Sequence, residues 1–242
     1  MSSAGTETVE PRLTAVIFVP AVLVVFALFL VMWRARTSDR TARVAVISGI
    51  VLLAWLVGTG ILAWRGFYFP PVSGPPPVGV QLTLALVGMA LALMWSPSLR
   101  SVLTNQKNLV RLNVWRLVGA VFVTLMFTNQ VPALWALPAG LGDMAIGATA
   151  FWVASRLDAP GGTRRAIIFN LLGLLDLVVA VGLGMTISPG PTQVFTLTPS
   201  GEVLTHFPLV LVPTFLVPLA VMVHVVSLRQ LLGATWSPRQ PA

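Results

Sequence analysis

Cysteine is absent from the 242 residues, lysine occurs once, and only 9% of the side chains are charged. Without cysteine there are no disulfides, thiolate metal sites, iron–sulfur clusters or thiol nucleophiles. The single lysine, Lys107, falls in a loop, which excludes a seven-helix retinal protein with its membrane-embedded Schiff-base lysine. A soluble domain carries roughly a quarter charged residues, so this chain lacks the polar side chains to cover a water-facing surface. The two histidines, His206 and His224, stand at opposite ends of the last apolar segment, about 27 Å apart along a helix. That separation excludes a shared metal or bis-histidine haem ligation. No Walker loop, dinucleotide glycine fingerprint, H-E-x-x-H or G-x-S-x-G occurs. The sequence therefore calls for no metal and no cofactor. The formal net charge of +8 comes from scattered basic residues rather than a dense run with interleaved aromatics, so nucleic acid is not an expected partner.

Long apolar runs are abundant. Hydrophobic residues make up 56% of the chain, and mean hydropathy is +0.89. A spanning helix needs about 20 largely apolar residues. Seven stretches qualify: 13–33, 44–63, 78–95, 109–127, 131–153, 166–187 and 207–228. The first has no basic n-region or small-residue cleavage site and is followed by Arg34 and Arg36, so it reads as a span rather than a signal peptide. The expected fold is all-α, a seven-helix transmembrane bundle forming one domain over residues 1–242. Placing the N-terminus outside leaves Arg34, Arg36, Arg40, Arg43, Arg100, Lys107, Arg111, Arg156, Arg164, Arg165, Arg229 and Arg239 on the cytoplasmic side, against Arg12 and Arg65 outside. Twelve against two is an N-out, C-in pattern. Arginine-rich, alanine- and proline-rich usage suggests a bacterial inner membrane. Trp64, Phe67, Tyr68 and Phe69 read as an interfacial aromatic belt leading into a stiff loop with Pro70, Pro71, Gly74 and Pro75–Pro77. Residues 194–205, two β-prone runs around Pro199-Ser200-Gly201, suggest a small hairpin.

Ionisable groups within spans are costly, about 2.5–3.5 kcal/mol at mid-bilayer on insertion scales, and normally face the bundle interior or a wet cavity. Asp143 lies midway along the fifth segment and Asp176 midway along the sixth; Arg116 lies in the fourth and His224 in the seventh. Small-residue stripes point the aspartates inward: Gly140, Asp143, Gly147, Ala150, Ala154, and Gly173, Asp176, Ala180, Gly184. Equivalent stripes on the other segments are Arg116, Ala120, Thr124; Val217, Ala220, His224, Ser227; and Gln81, Ala85, Gly88, Ala92. The first segment has no polar residue at depth and reads as peripheral. If Arg116 pairs with one aspartate, the other is left with His224, a proton or water, as a proton-coupled site or general acid requires. Asp143 and Asp176 are thus the candidate reactive pair, with Arg116, His224, Asn170 and Gln81 as binding groups. Interhelical hydrogen bonding to Asn170, a threonine or backbone is the alternative role for the aspartates. Pro213 and Pro218 free the carbonyls of Leu209 and Thr214, which then need partners inside the bundle.

Trp115 through Phe122, Leu137 through Asp143, and Phe207 through Leu231 resemble stretches of bacterial inner-membrane proteins of unknown function. In size and seven-helix architecture the chain is also similar to membrane-bound terpene cyclases of meroterpenoid pathways. That second resemblance implies an embedded acid that protonates an isoprenoid.

Three functions follow as expectations. The first is a proton-linked carrier of a small or lipophilic molecule, with Asp143 and Asp176 titrating, Arg116 as counter-ion and His224 as relay. The second is a membrane-embedded, acid-initiated enzyme for an isoprenoid or other lipophile, with Trp55, Trp95 and Trp135 stabilising a carbocation. The third is a structural or assembly subunit. The expected partners are the bilayer and a small lipophilic ligand, and a large transport substrate would require a homo-oligomer.

Overall fold

The computed structural model describes residues 11–69 and 73–233; Pro70, Pro71 and Arg239, together with the side chain of Arg12, lie outside the described residues. Seven helical spans are long and apolar enough to cross a membrane. Five are continuous over their length: α1 (Pro11–Arg34), α2 (Asp39–Trp64), α3 (Pro77–Trp95), α7 (Ala133–Ser155) and α8 (Gly162–Ile187). The fourth span is α5 (Gln106–Arg111), a 3-10 segment (Leu112–Val118) and α6 (Gly119–Phe127). The seventh is a π-turn (Val212–Leu216) followed by α9 (Val217–Leu231), and a short α4 (Pro97–Val102) bridges the third and fourth. No strand occurs among the described residues.

The helix ends follow local chemistry. Ser38 opens α2 through a reciprocal capping box with Thr41, each side chain accepting from the other's backbone N–H. Ser96 accepts from the Leu99 N–H to start α4, and Asn105 accepts from the Asn108 N–H to start α5. Gly161, at φ +74°, supplies the left-handed turn that launches α8.

The two breaks have identifiable causes. Asn113 Nδ2 donates to the carbonyls of Leu109 and Val110 at 3.2 and 3.3 Å, competing with the α-helical backbone donors and tightening the chain into a 3-10 form. Over the 3-10 segment three residues per turn set Asn113 and Arg116 on the buried face, and α6, starting from that altered phase, buries Gly119, Phe122 and Leu125. Ala120 and Thr124 are consequently exposed, and the expected stripe through Arg116 is corrected. In the seventh span Pro218 has no N–H to offer, and the Val217 N–H reaches back five residues to the Val212 carbonyl. The Thr214 carbonyl then accepts from Gln81 Nε2 at 3.4 Å, and the Leu209 carbonyl from the Val212 N–H at 3.0 Å. Both freed carbonyls thus find partners.

The seventh span is the axis of the bundle, the most buried of the seven, whereas α3 is the least buried. The first span is not peripheral: Ile17, Ala21, Val24, Val25, Leu28 and Met32 are buried, and α1 packs on the 3-10 segment as well as on α2. Its apolar side chains fill the space that the tightened segment leaves. On α3, Gly88 and Ala92 are exposed and only Gln81 and Ala85 of the expected stripe turn inward. The seventh span starts at Val212, five residues later than expected, because residues 207–210 form turns. The expected hairpin is absent: the N–H groups of Val194 and Phe195 both donate to Thr186, and Gly201–Thr205 coils into a 3-10 turn capped by Ser200. Local capping satisfies this backbone, leaving no ladder to form.

Gln81 ties three elements together. It accepts from the Tyr68 hydroxyl and donates to Thr59 Oγ1 at 2.8 Å and to the Thr214 carbonyl. Gln81→Leu is expected to lower stability by about 1–2 kcal/mol, the range of interhelical hydrogen bonds within membranes. Thermal unfolding in mild detergent reads this directly. An unchanged midpoint would mean that the prolines alone hold the π-turn.

Candidate functional site

Four spans converge on one guanidinium. Arg116, fully buried at the end of the 3-10 segment, donates from Nε to Asp143 Oδ1 at 2.6 Å and from Nη2 to Asp176 Oδ2. Nη1 donates to the Gly173 carbonyl at 3.3 Å and to His224 Nε2 at 3.1 Å. A guanidinium has no acceptor, so Nε2 of His224 must be the acceptor. The ring proton therefore sits on Nδ1, which donates to Asn170 Oδ1 at 2.8 Å. This is a neutral histidine lying on the far side of the arginine from the carboxylates. The expectation that His224 could offset the second aspartate is corrected, because the histidine contacts the cation instead.

Glycines make room for this arrangement. A Cβ on Gly142 would fall 1.7 Å from Asp176 Oδ1, and one on Gly173 would fall 2.4 Å from the His224 ring. One on Gly119 would fall 2.6 Å from both Asp143 Cβ and the Gly140 carbonyl oxygen. The inward stripe on α7 is as expected, with Gly140, Asp143, Gly147, Ala150 and Ala154 all buried. Both aspartates reach the same arginine, while Gly140 and Gly173 pack against different neighbours.

From His224 a polar chain runs to the basic end of the bundle. Asn170 Nδ2 donates to Ser227 Oγ at 2.9 Å, Ser227 Oγ to Gln106 Oε1 at 2.8 Å, and Gln106 Nε2 to Gln230 Oε1 at 2.7 Å. Gln230 Nε2 ends the chain on the Leu103 carbonyl at 2.6 Å. Ser227 shares the His224 stripe, so the sequence carried a signal for it. Gln106 and Gln230 lie at span ends, where a polar residue is unremarkable in a sequence. At the same end Lys107, placed in the first turn of α5 rather than in the expected loop, pairs with Asp158 in the loop between α7 and α8, an exposed contact contributing about 0–1 kcal/mol.

On the other side of the carboxylates lies a narrow cavity of about 90 Å³. It extends from Asp143, between Trp115, Phe122, Trp135, Leu177 and Val217, to the loop residues Pro76, Ser188 and Thr192 at the end opposite the basic loops. Trp135 Nε1 donates to the Ala180 carbonyl at 2.9 Å, which holds the ring against Phe122, centroids 4.8 Å apart. Tyr68 also lines this cavity. It is buried, unlike the exposed Trp64, Phe67 and Phe69, and so does not belong to the interfacial belt. Burial pushes its phenol above the usual range, keeping it a neutral donor to Gln81.

The sequence-derived site residues thus separate into two groups. Asp143, Asp176, Arg116, His224 and Asn170 form one cluster, whereas Gln81 belongs to the knot with Tyr68, Thr59 and Thr214. Of the tryptophans, Trp135 reaches the cavity, Trp55 packs on Phe215 at 4.7 Å, and Trp95 is 76% exposed. Among the described residues no group of three histidines or acids could hold a metal ion.

The fold and cluster define a multi-pass membrane protein with a buried, charged centre between its C-terminal spans. Residues 75–232 match the family described as a domain of unknown function (DUF8737), and the chain belongs to that family. The match begins just ahead of α3 and takes in the whole cluster, with α1 and α2 preceding it. No curated protein and no solved structure matches the chain significantly.

Proposed function

We propose that the protein is a proton-linked carrier of a small or lipophilic molecule in a bacterial inner membrane. The basic end faces the cytoplasm, giving N-out, C-in. The observation that carries this reading is a charge count: two carboxylates share one guanidinium within the spans, and the neighbouring histidine is neutral. With both aspartates ionised the cluster holds one uncompensated negative charge in a low-dielectric setting, which a proton or a cation must balance. Asp143 and Asp176 are the exchanging pair, and Arg116 is their fixed counter-ion. The fourth span is broken at this centre by its 3-10 segment and the seventh is broken along the cavity by its π-turn, and discontinuous helices around a site within the spans suit a carrier that must rearrange. His224 positions Arg116. Proton hopping beyond it stops at Asn170, because a carboxamide keeps its protons, so the proton enters and leaves through the cavity.

A second reading is favoured by the cavity's aromatic wall. An acid at the floor of a pocket walled by Trp115, Phe122 and Trp135 also suits acid-initiated chemistry on an apolar substrate.

The test starts with native mass spectrometry of the purified protein to identify a co-purifying small molecule, followed by flux of that molecule in liposomes under an imposed pH gradient. Wild type is expected to move it in a gradient-dependent way. Asp143→Asn and Asp176→Asn are expected to abolish that movement while retaining helical content and the unfolding transition. Flux indifferent to the gradient, or surviving in both variants, contradicts the proposal. Chemical conversion of the molecule instead of movement selects the enzyme reading.

A further inference from the structure

The donors and acceptors of the cavity wall identify the chemistry of its occupant. Five of its side-chain donors are already committed to protein acceptors: Tyr68 to Gln81, Trp135 Nε1 to the Ala180 carbonyl, Ser188 Oγ to the Gly184 carbonyl, Thr192 Oγ1 to the Met185 carbonyl, and Thr205 Oγ1 to the Glu202 carbonyl. At the floor the situation is reversed. Asp143 engages Arg116 through Oδ1, and no hydrogen bond involves its Oδ2 among the described residues. The pair it forms with Asp176 is short of one positive charge. Trp115, Phe122 and Trp135 line the cavity with aromatic rings, which attract a cation where it meets a ring face, and Leu177, Val181 and Val217 add apolar wall. At about 90 Å³ the cavity has room for a short apolar chain of a few carbons and its head group.

We infer that this cavity binds a small cationic amphiphile, a short apolar chain ending in a primary ammonium, with the ammonium seated on Asp143. The inference rests on the reading of Asp143 and Asp176 as a proton-exchanging pair and names the substrate class for it. The ammonium supplies the missing positive charge, so its entry releases the balancing proton and its departure restores it. One cation and one proton alternate at one site, and charge is conserved at each step. The three hydrogens of a primary ammonium match acceptor groups, whereas a carboxylate of the same length meets Asp143 as a like charge.

Butylammonium, butanol and butyrate share one chain and differ only in the head group. Binding of each to the protein in nanodiscs is read from the shift in unfolding midpoint across a concentration series, with partition into protein-free discs subtracted. Butylammonium is expected to bind wild type at least tenfold more tightly than butanol, and butyrate most weakly. In Asp143→Asn the ammonium preference disappears while butanol binding persists. Because the head-group series on wild type stands alone, an unstable variant leaves the inference testable. Equal affinity for all three heads, tightest binding of decanoate, or no saturable binding of any chain overturns it. The proton-linked reading is judged separately by gradient-dependent flux, which can persist for another substrate when the head-group test fails.

Discussion

Replacing Arg116 by methionine is expected to destabilise the protein by about 3–5 kcal/mol, the usual consequence of removing one member of a buried ion pair. Methionine keeps much of the volume and leaves Asp143 and Asp176 facing each other within the spans without a cation. His224 and the Gly173 carbonyl also lose their donor. Most of this loss is uncompensated charge rather than packing, so it is reversible by design. In the triple variant Arg116→Met, Asp143→Asn, Asp176→Asn, most of the stability is expected to return, because the carboxylates are neutral. Unfolding midpoints of the single and triple variants in the same detergent measure the difference. A single variant as stable as wild type, or a triple variant no better than the single one, would show that the cluster does not behave as a charge-coupled unit.

The second large effect is steric. In Gly119→Ala the added methyl would stand 2.6 Å from both Asp143 Cβ and the Gly140 carbonyl oxygen. Backbone cannot swing aside as a flexible side-chain end does, so α6 and α7 must separate. Overpacking of this kind costs about 1–3 kcal/mol, and it moves Asp143 away from Arg116. Gly182→Ala on α8, where nothing lies within 4 Å, is the control, with an expected change within about 1 kcal/mol and of stabilising sign. If the two alanine variants unfold together, the close α6–α7 crossing does not constrain the site.

Much of this arrangement was legible in the residues. Span number, the inward stripes of α7 and α8, and the need of the Thr214 carbonyl for a partner all follow from hydropathy, small-residue spacing and proline chemistry. The face of the fourth span was not legible. A stripe drawn at 3.6 residues per turn pairs Arg116 with Ala120 and Thr124, but Asn113 caps two carbonyls and tightens the turn to a period of three, which brings Gly119 and Phe122 inward. Gln81 has the composition of a site residue, and only tertiary structure shows that its amide is occupied by Tyr68, Thr59 and Thr214. The neutral state of His224 depends on which atom faces it, and no sequence spacing encodes that. The amide chain through Asn170, Ser227, Gln106 and Gln230 joins four residues from three distant stretches of sequence, each ordinary by itself.

The central claim is geometric: the Asp143–Asp176–Arg116 centre is entered from the end opposite the basic loops and is closed at the basic end by the amide chain. The natural absence of cysteine makes a direct test simple. Ala180→Cys places one thiol along the cavity, and Ser227→Cys places one within the amide chain. Each is exposed in sealed vesicles to a membrane-impermeant cationic thiol reagent applied to one side at a time. The account predicts rapid modification of Ala180→Cys from the side where α3 begins, none from the basic side, and no modification of Ser227→Cys from the α3 side. Modification of Ala180→Cys from the basic side alone, or from neither side while Ser227→Cys reacts, would contradict it.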